Sequence, residues 1–166
     1  MDLFKKILNK RLCLPKNYDI HDECKFCILS KIKEENYRHS ASICFHNTDN
    51  IISHGFNTYD ENLRLSTHAE RACIDNLQII QKRRKLVKID LYVGRYGIKN
   101  QFLMSKPCMK CIQYMNNNII MSKGYKLINI YYTNENNNIT KTNLYNLNNE
   151  EMHITKAMKK NYKYKI

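Results

Sequence analysis

Apolar and polar positions alternate in blocks along this chain, and the blocks change period in a regular order. Residues 1–21 mix basic and apolar side chains around Pro15, which predicts a short helix followed by an extension. From Asp22, which can cap a helix, the run Phe26, Cys27, Ile28, Leu29 and Ile32 predicts a helix to about Tyr37. Ser40–His46 and Ile51–Phe56 read as strands joined by the turn Asn47-Thr48-Asp49-Asn50, a hairpin. Ser66 or Thr67 can cap a second helix carrying Ala69, Ala72, Cys73, Leu77, Ile79 and Ile80. Val87–Val93 reads as a buried strand, and Pro107 opens a helix through Cys108, Cys111, Ile112, Met115 and Ile119. Leu127–Tyr132 is a further strand, Ile139–Leu147 a fifth strand or an edge segment, and Glu150–Lys160 a last helix. The Asn-rich stretches 134–138 and 143–149 read as turns. Strands alternating with helices predict a layered α/β sheet.

Two short motifs fall at predicted helix starts. One is His68-Ala69-Glu70 and the other Pro107-Cys108-Met109-Lys110-Cys111. Together they read H-x-E … P-C-x-x-C, the signature of zinc-dependent nucleobase deaminases. Each residue type has a task in that chemistry. One imidazole and two thiolates give zinc three protein ligands and leave a fourth position open for water. A carboxylate that is not a ligand can move protons. Cys108 and Cys111, three apart, share a helix face. Helix N-termini beside them favour thiolates.

At these residues the chain resembles the cytidine deaminase-like superfamily over about residues 22–135. The resemblance implies a three-layer α/β/α fold, with a mixed central sheet of about five strands flanked by helices. It implies His68, Cys108 and Cys111 as ligands of one zinc and Glu70 as the proton shuttle. Gly55-Phe56-Asn57 resembles the family segment whose Asn contacts sugar and base, so Asn57 is a substrate-binding candidate. The Ala69 N–H resembles the group that reads the base carbonyl, and Ser105 is a third substrate-binding candidate. The implied activity is hydrolytic deamination of a cytosine nucleoside or deoxycytidylate-type nucleotide, by an enzyme that forms a homo-oligomer. A His as first ligand resembles deoxycytidylate, tRNA adenosine and polynucleotide cytidine deaminases, whereas His68-Ala69-Glu70-Arg71 echoes the C-A-E-R of free-nucleoside enzymes. Lys106 between Ser105 and Pro107 departs from the S-P-C of polynucleotide deaminases.

Length and charge refine this picture. The 166 residues suit one domain, divided as an extension (1–21), a zinc deaminase domain (22–149) and a basic C-terminal helix or tail (150–166). No window approaches the about 18 apolar residues of a membrane span, and no secretory signal is visible, so the protein is read as cytoplasmic with no membrane partner. Seven cysteines without such a signal point to thiols and metal ligands in a reducing compartment. The net charge of +13 suits a phosphorylated substrate or nucleic acid, although a Lys-, Asn-, Ile- and Tyr-rich composition also follows from A/T-rich codons. A polynucleotide deaminase and a catalytically idle zinc-bearing binding module are therefore the alternatives. Among secondary candidates, Cys24 and Cys27 with His21 could hold a second metal. Arg64, Lys99 and Lys106 could contact phosphate. Cys44 and Cys73 are read as core, and one of His39, His46 and His54 could approach the pocket. Tyr131 and Tyr132 are read equally well as pocket or core.

Overall fold

The computed structural model describes residues 38–60, 65–80, 85–97, 102–150 and 154. The calls on Asp22–Tyr37, His21, Cys24, Cys27, Arg64, Lys99 and the C-terminal helix or tail after Glu150 lie outside these residues, apart from Ile154.

The first elements among the described residues are strands β1 (Arg38–Phe45) and β2 (Ile51–Phe56), the expected hairpin. Next come two short strands, β3 (Thr58–Asp60) and β4 (Leu65–Thr67), which form a separate two-stranded sheet not foreseen in the sequence. Helix α1 (Ala69–Asp75) leads to the long strand β5 (Val87–Tyr96), and the short β6 (Phe102–Leu103) folds back on its end. Helices α2 (Met109–Asn116) and α3 (Ile119–Ser122) precede β7 (Tyr125–Thr133), β8 (Ile139–Thr142) and helix α4 (Leu144–Asn149). The main sheet has six strands in the order β2-β1-β5-β7-β8, with β6 on β5. β5 and β7 run parallel and the other pairs antiparallel, so the sheet is mixed. A parallel pair needs a crossover, and here the crossover carries α2 and α3. This is the layered α/β architecture with a mixed central sheet that the sequence predicts.

Strand alternation decides the core. Ala41 and Ile43 from β1 join Ile89, Leu91 and Val93 from β5 on one face, packed with Ala69, Cys73, Ile112, Met115, Ile120 and Leu147 from the four helices. The opposite face carries Ser40, Ser42, Cys44, Asp90 and Tyr92, which are also buried. Cys44 and Cys73 are core residues, as expected. Asp90 is satisfied where it lies. Its carboxylate accepts from the backbone N–H of Asn47 and Asn129, from Asn129 Nδ2 and from His46 Nδ1, and so pins an irregularity in the β5–β7 register.

Several boundaries differ from the sequence reading. The first helix stops at Asp75 and not beyond Ile80. There Asn76 Nδ2 donates to His54 O and Lys123 Nζ donates to the carbonyls of Asp75 and Leu77. The Lys123 bonds satisfy terminal carbonyls that a longer helix would have served itself, and the Asn76 bond ties the helix end to β2. Ser66 and Thr67 lie in β4, and His68 is the N-cap. The second helix starts after Pro107 and Cys108. It breaks at Asn118, whose left-handed φ of 54° is one that Asn tolerates. The stretch 139–147 is a four-residue strand followed by α4, because the Asn143 side chain accepts from Asn146 N and caps a helix where turns were expected. The 134–138 turn is present. Among the described residues no helix is long and apolar enough to cross a membrane.

Candidate metal centre

β4 delivers the chain to His68 in an extended conformation (φ −75°, ψ 152°). His68 therefore caps α1 with its carbonyl, which accepts from Ala72 N at 3.0 Å, while its imidazole is not used as a cap. Cys108 repeats this geometry at α2. It is extended (φ −78°, ψ 165°), its carbonyl accepts from Ile112 N, and its thiol makes no capping bond. Cys111 follows one helical turn later, so both thiols sit at one end of α2.

These two helix starts converge. His68 Nδ1 lies 3.4 Å from Cys108 Sγ and 3.2 Å from Cys111 Sγ, and the two sulfurs are 3.7 Å apart. Tetrahedral zinc, with Zn–S of about 2.3 Å and Zn–N of about 2.0 Å, would separate two sulfurs by about 3.8 Å and a nitrogen from a sulfur by about 3.5 Å. The donor set fits that ion in type and in spacing, and among the described residues these three form the one cluster able to hold a metal.

The electrostatics fit as well. Hydrogen bonding with Cys111, reinforced by that with His68, lowers the Cys108 thiol well below its ordinary range despite its burial. Its hydrogen bond to Cys108 and its burial push Cys111 up. The bond to Cys108 raises His68. The three side chains thus share protons around a thiolate, where a divalent cation would supply the positive charge instead. Glu70, one residue into α1 from Ala69, is 5% exposed and lies beside the Cys111 thiol. Burial raises its carboxyl above the usual range.

The helix bearing His68 and Glu70 is held against β2. Ser53 Oγ donates to Cys73 O at 2.6 Å, and Gly55 lies directly under the helix. A Cβ at Gly55 would stand 2.2 Å from Cys73 N and 2.6 Å from Ala69 O. Only glycine admits so close an approach of strand to helix. The Cys108 loop is tied to the sheet through Ser105. Its hydroxyl donates to Val93 O and pairs with Thr133 N and Thr133 Oγ1. The Ser105 N–H donates to Thr133 O as well, so backbone and side chain together hold this residue to the sheet. Asn57 follows β2, and its Oδ1 accepts from His39 N while its own N–H donates to His39 O. Ala69 is fully buried at the start of α1.

Of the secondary candidates, His39 is the histidine beside the centre. Burial and then the charge of Arg95 lower its pKa to about 4, and it also senses His68 and Cys108. Sequence reasoning did not single it out from His46 and His54, because its neighbours come from β2, β5 and α2. His46 bonds Asp90, and His54 packs edge-on against Phe56. Lys106 is paired with Glu150 at 2.9 Å. Tyr132 is core, whereas Tyr131 stacks on Tyr92 at 4.5 Å.

The family model described as the cytidine and deoxycytidylate deaminase zinc-binding region matches residues 24–126. A cytidine deaminase of solved structure from Burkholderia pseudomallei is similar at 18% identity and a TM-score of 0.43, over 67% of this chain and 78% of that one. No curated protein matches the chain significantly.

Proposed function

Because the chain belongs to the cytidine and deoxycytidylate deaminase zinc-binding family, we propose that it is a zinc-dependent hydrolase that converts a cytosine nucleoside or nucleotide to its uracil form, releasing ammonia. The observation that carries this reading is Glu70, a carboxyl buried beside the thiols of the metal centre. A zinc held only for structure needs no such neighbour. His68, Cys108 and Cys111 would hold the ion, whose Lewis acidity brings the pKa of a water toward about 7.

The remaining work falls to the chain. Glu70 takes a proton from the attacking water on a carboxylate oxygen and gives it to the ring nitrogen. The water oxygen bonds to the carbon bearing the amine. Glu70 then passes the second water proton to the amine, the carbon–nitrogen bond breaks, and ammonia leaves. A carboxyl raised by burial suits both directions of transfer. The Ala69 N–H would read the base carbonyl and the Asn57 amide the sugar, with Ser105 holding the loop that carries Cys108. The same reading extends to a homo-oligomer.

The test is ammonia release by zinc-loaded protein from cytidine, deoxycytidine, CMP, dCMP, adenosine, single-stranded DNA and tRNA, with Glu70→Gln as control. Turnover of a cytosine nucleoside or nucleotide, lost in Glu70→Gln, supports the reading. Turnover confined to polynucleotides would transfer it to the polynucleotide class that the +13 charge favours. Silence on every substrate would leave a zinc-bearing binding module.

A further inference from the structure

His39 stands beside the metal centre and forms a row across the sheet with Arg95 and Asn57. Arg95 on β5 is the register partner of His39 on β1, and the His39 backbone N–H donates to Asn57 Oδ1 while its carbonyl accepts from Asn57 N. Alternation puts Arg95 on the helix-covered face, two residues beyond Val93, and His39 two residues before Ala41 on the same face. Arg95 also pairs with Leu103 in β6, the strand that leads through Ser105 to Cys108. The guanidinium is thus built into the end of the sheet from which the Cys108 loop departs. In open α/β sheets this carboxyl end of the strands is where ligands bind.

The row changes in character along its length. Asn57 is a neutral amide, and His39 is kept uncharged at neutral pH by burial and by Arg95. Arg95 is a permanent cation with a fork of donors suited to phosphate oxygens. Adjacent strands are about 4.8 Å apart, so the row spans roughly the reach of a sugar and the phosphate beyond it. A free nucleoside would offer hydroxyls to Asn57 and His39 and nothing anionic to Arg95.

We propose that Arg95 is a specificity-determining residue that binds the phosphate of a nucleoside monophosphate, so that the enzyme acts on the nucleotide in preference to the nucleoside. This rests on the deaminase reading above and names the substrate class within it. The phosphate is the terminal one of a mononucleotide, not the backbone of a polynucleotide.

The experiment compares CMP with cytidine, and dCMP with deoxycytidine, in wild type, Arg95→Gln and Arg95→Lys. Two readouts are used: kcat/KM for ammonia release and Kd by calorimetry. Wild type should favour the nucleotide by about 10- to 100-fold in both, the range of a charge-assisted hydrogen bond. Arg95→Gln should bring the ratio close to one, and Arg95→Lys should keep part of it. Because the ratio compares two ligands on one protein, partial misfolding does not mimic the result. Equal handling of nucleotide and nucleoside by wild type, a ratio unchanged in Arg95→Gln, or a preference for a cytosine-containing oligonucleotide over CMP would each overturn the proposal. If wild type deaminates nothing, the deaminase reading fails, and the Kd ratio still decides whether Arg95 selects the phosphate.

Discussion

Placing a single methyl group at Gly55 should dismantle the metal centre without touching any of its donors. The Gly55→Ala Cβ would stand 2.2 Å from Cys73 N, against the 3.4 Å at which ordinary contact begins, a shortfall of 1.2 Å. The obstructing atoms are backbone atoms of α1, so no side chain can rotate away. Either α1 lifts off β2 or the strand sinks, and His68 and Glu70 travel with α1. Metal–ligand distances tolerate only about 0.2 Å, so a shift near an ångström separates the imidazole from the two thiols of α2. Overpacking of this kind costs about 1–3 kcal/mol of stability, and disturbing a partner that orients a metal ligand lowers affinity about 10- to 100-fold. Zinc affinity by competition with a chromophoric chelator, together with thermal unfolding, would measure both effects. Leu147→Ala is the control. It empties a buried position on α4 and should cost about 2–5 kcal/mol while leaving zinc affinity in place. Wild-type zinc affinity in Gly55→Ala would refute the claim that α1 rests on the strand at this point.

Glu70→Gln should keep zinc and fold and lower kcat by at least about 10²-fold, the scale of general acid–base catalysis; turnover near wild type, measured by ammonia release, would remove Glu70 from the mechanism. Asp90→Asn would face four donors with an amide that accepts at one atom only, and should cost about 1–3 kcal/mol in denaturant unfolding with zinc content unchanged. His39 has a folded pKa of about 4 against an ordinary 6.5, so the unfolded chain takes the proton first. Its contribution is complete above pH 6.5 and is lost as pH falls toward 4. His39→Gln should flatten that part of the stability curve, and an unchanged slope would show that His39 is not held neutral.

The motifs of the centre were legible because each is local. H-x-E and P-C-x-x-C each occupy a single helix start, and the deaminase signature they match named the candidate ligands. The hairpin, the buried run of β5 and the βαβ order were legible for the same reason, since hydrophobic period is a property of short windows. Helix ends were less so. α1 ends where Lys123 takes over its terminal carbonyls, and Lys123 lies 48 residues from the Asp75 carbonyl it serves. The small β3–β4 sheet and the two-residue β6 carry too few residues for a period to register.

The sequence by itself determined which side chains could bind zinc and move protons, because the valence and acidity of imidazole, thiol and carboxyl belong to the residues. Tertiary structure alone decided that His68 meets two sulfurs 40 and 43 residues away at zinc spacing. It also decided that Glu70 is buried beside them, that Gly55 lets α1 close on β2, and that Arg95, His39 and Asn57 stand in one row. These are relations between strands and helices far apart in the chain. They are set by register and packing against a shared core, which no local window contains.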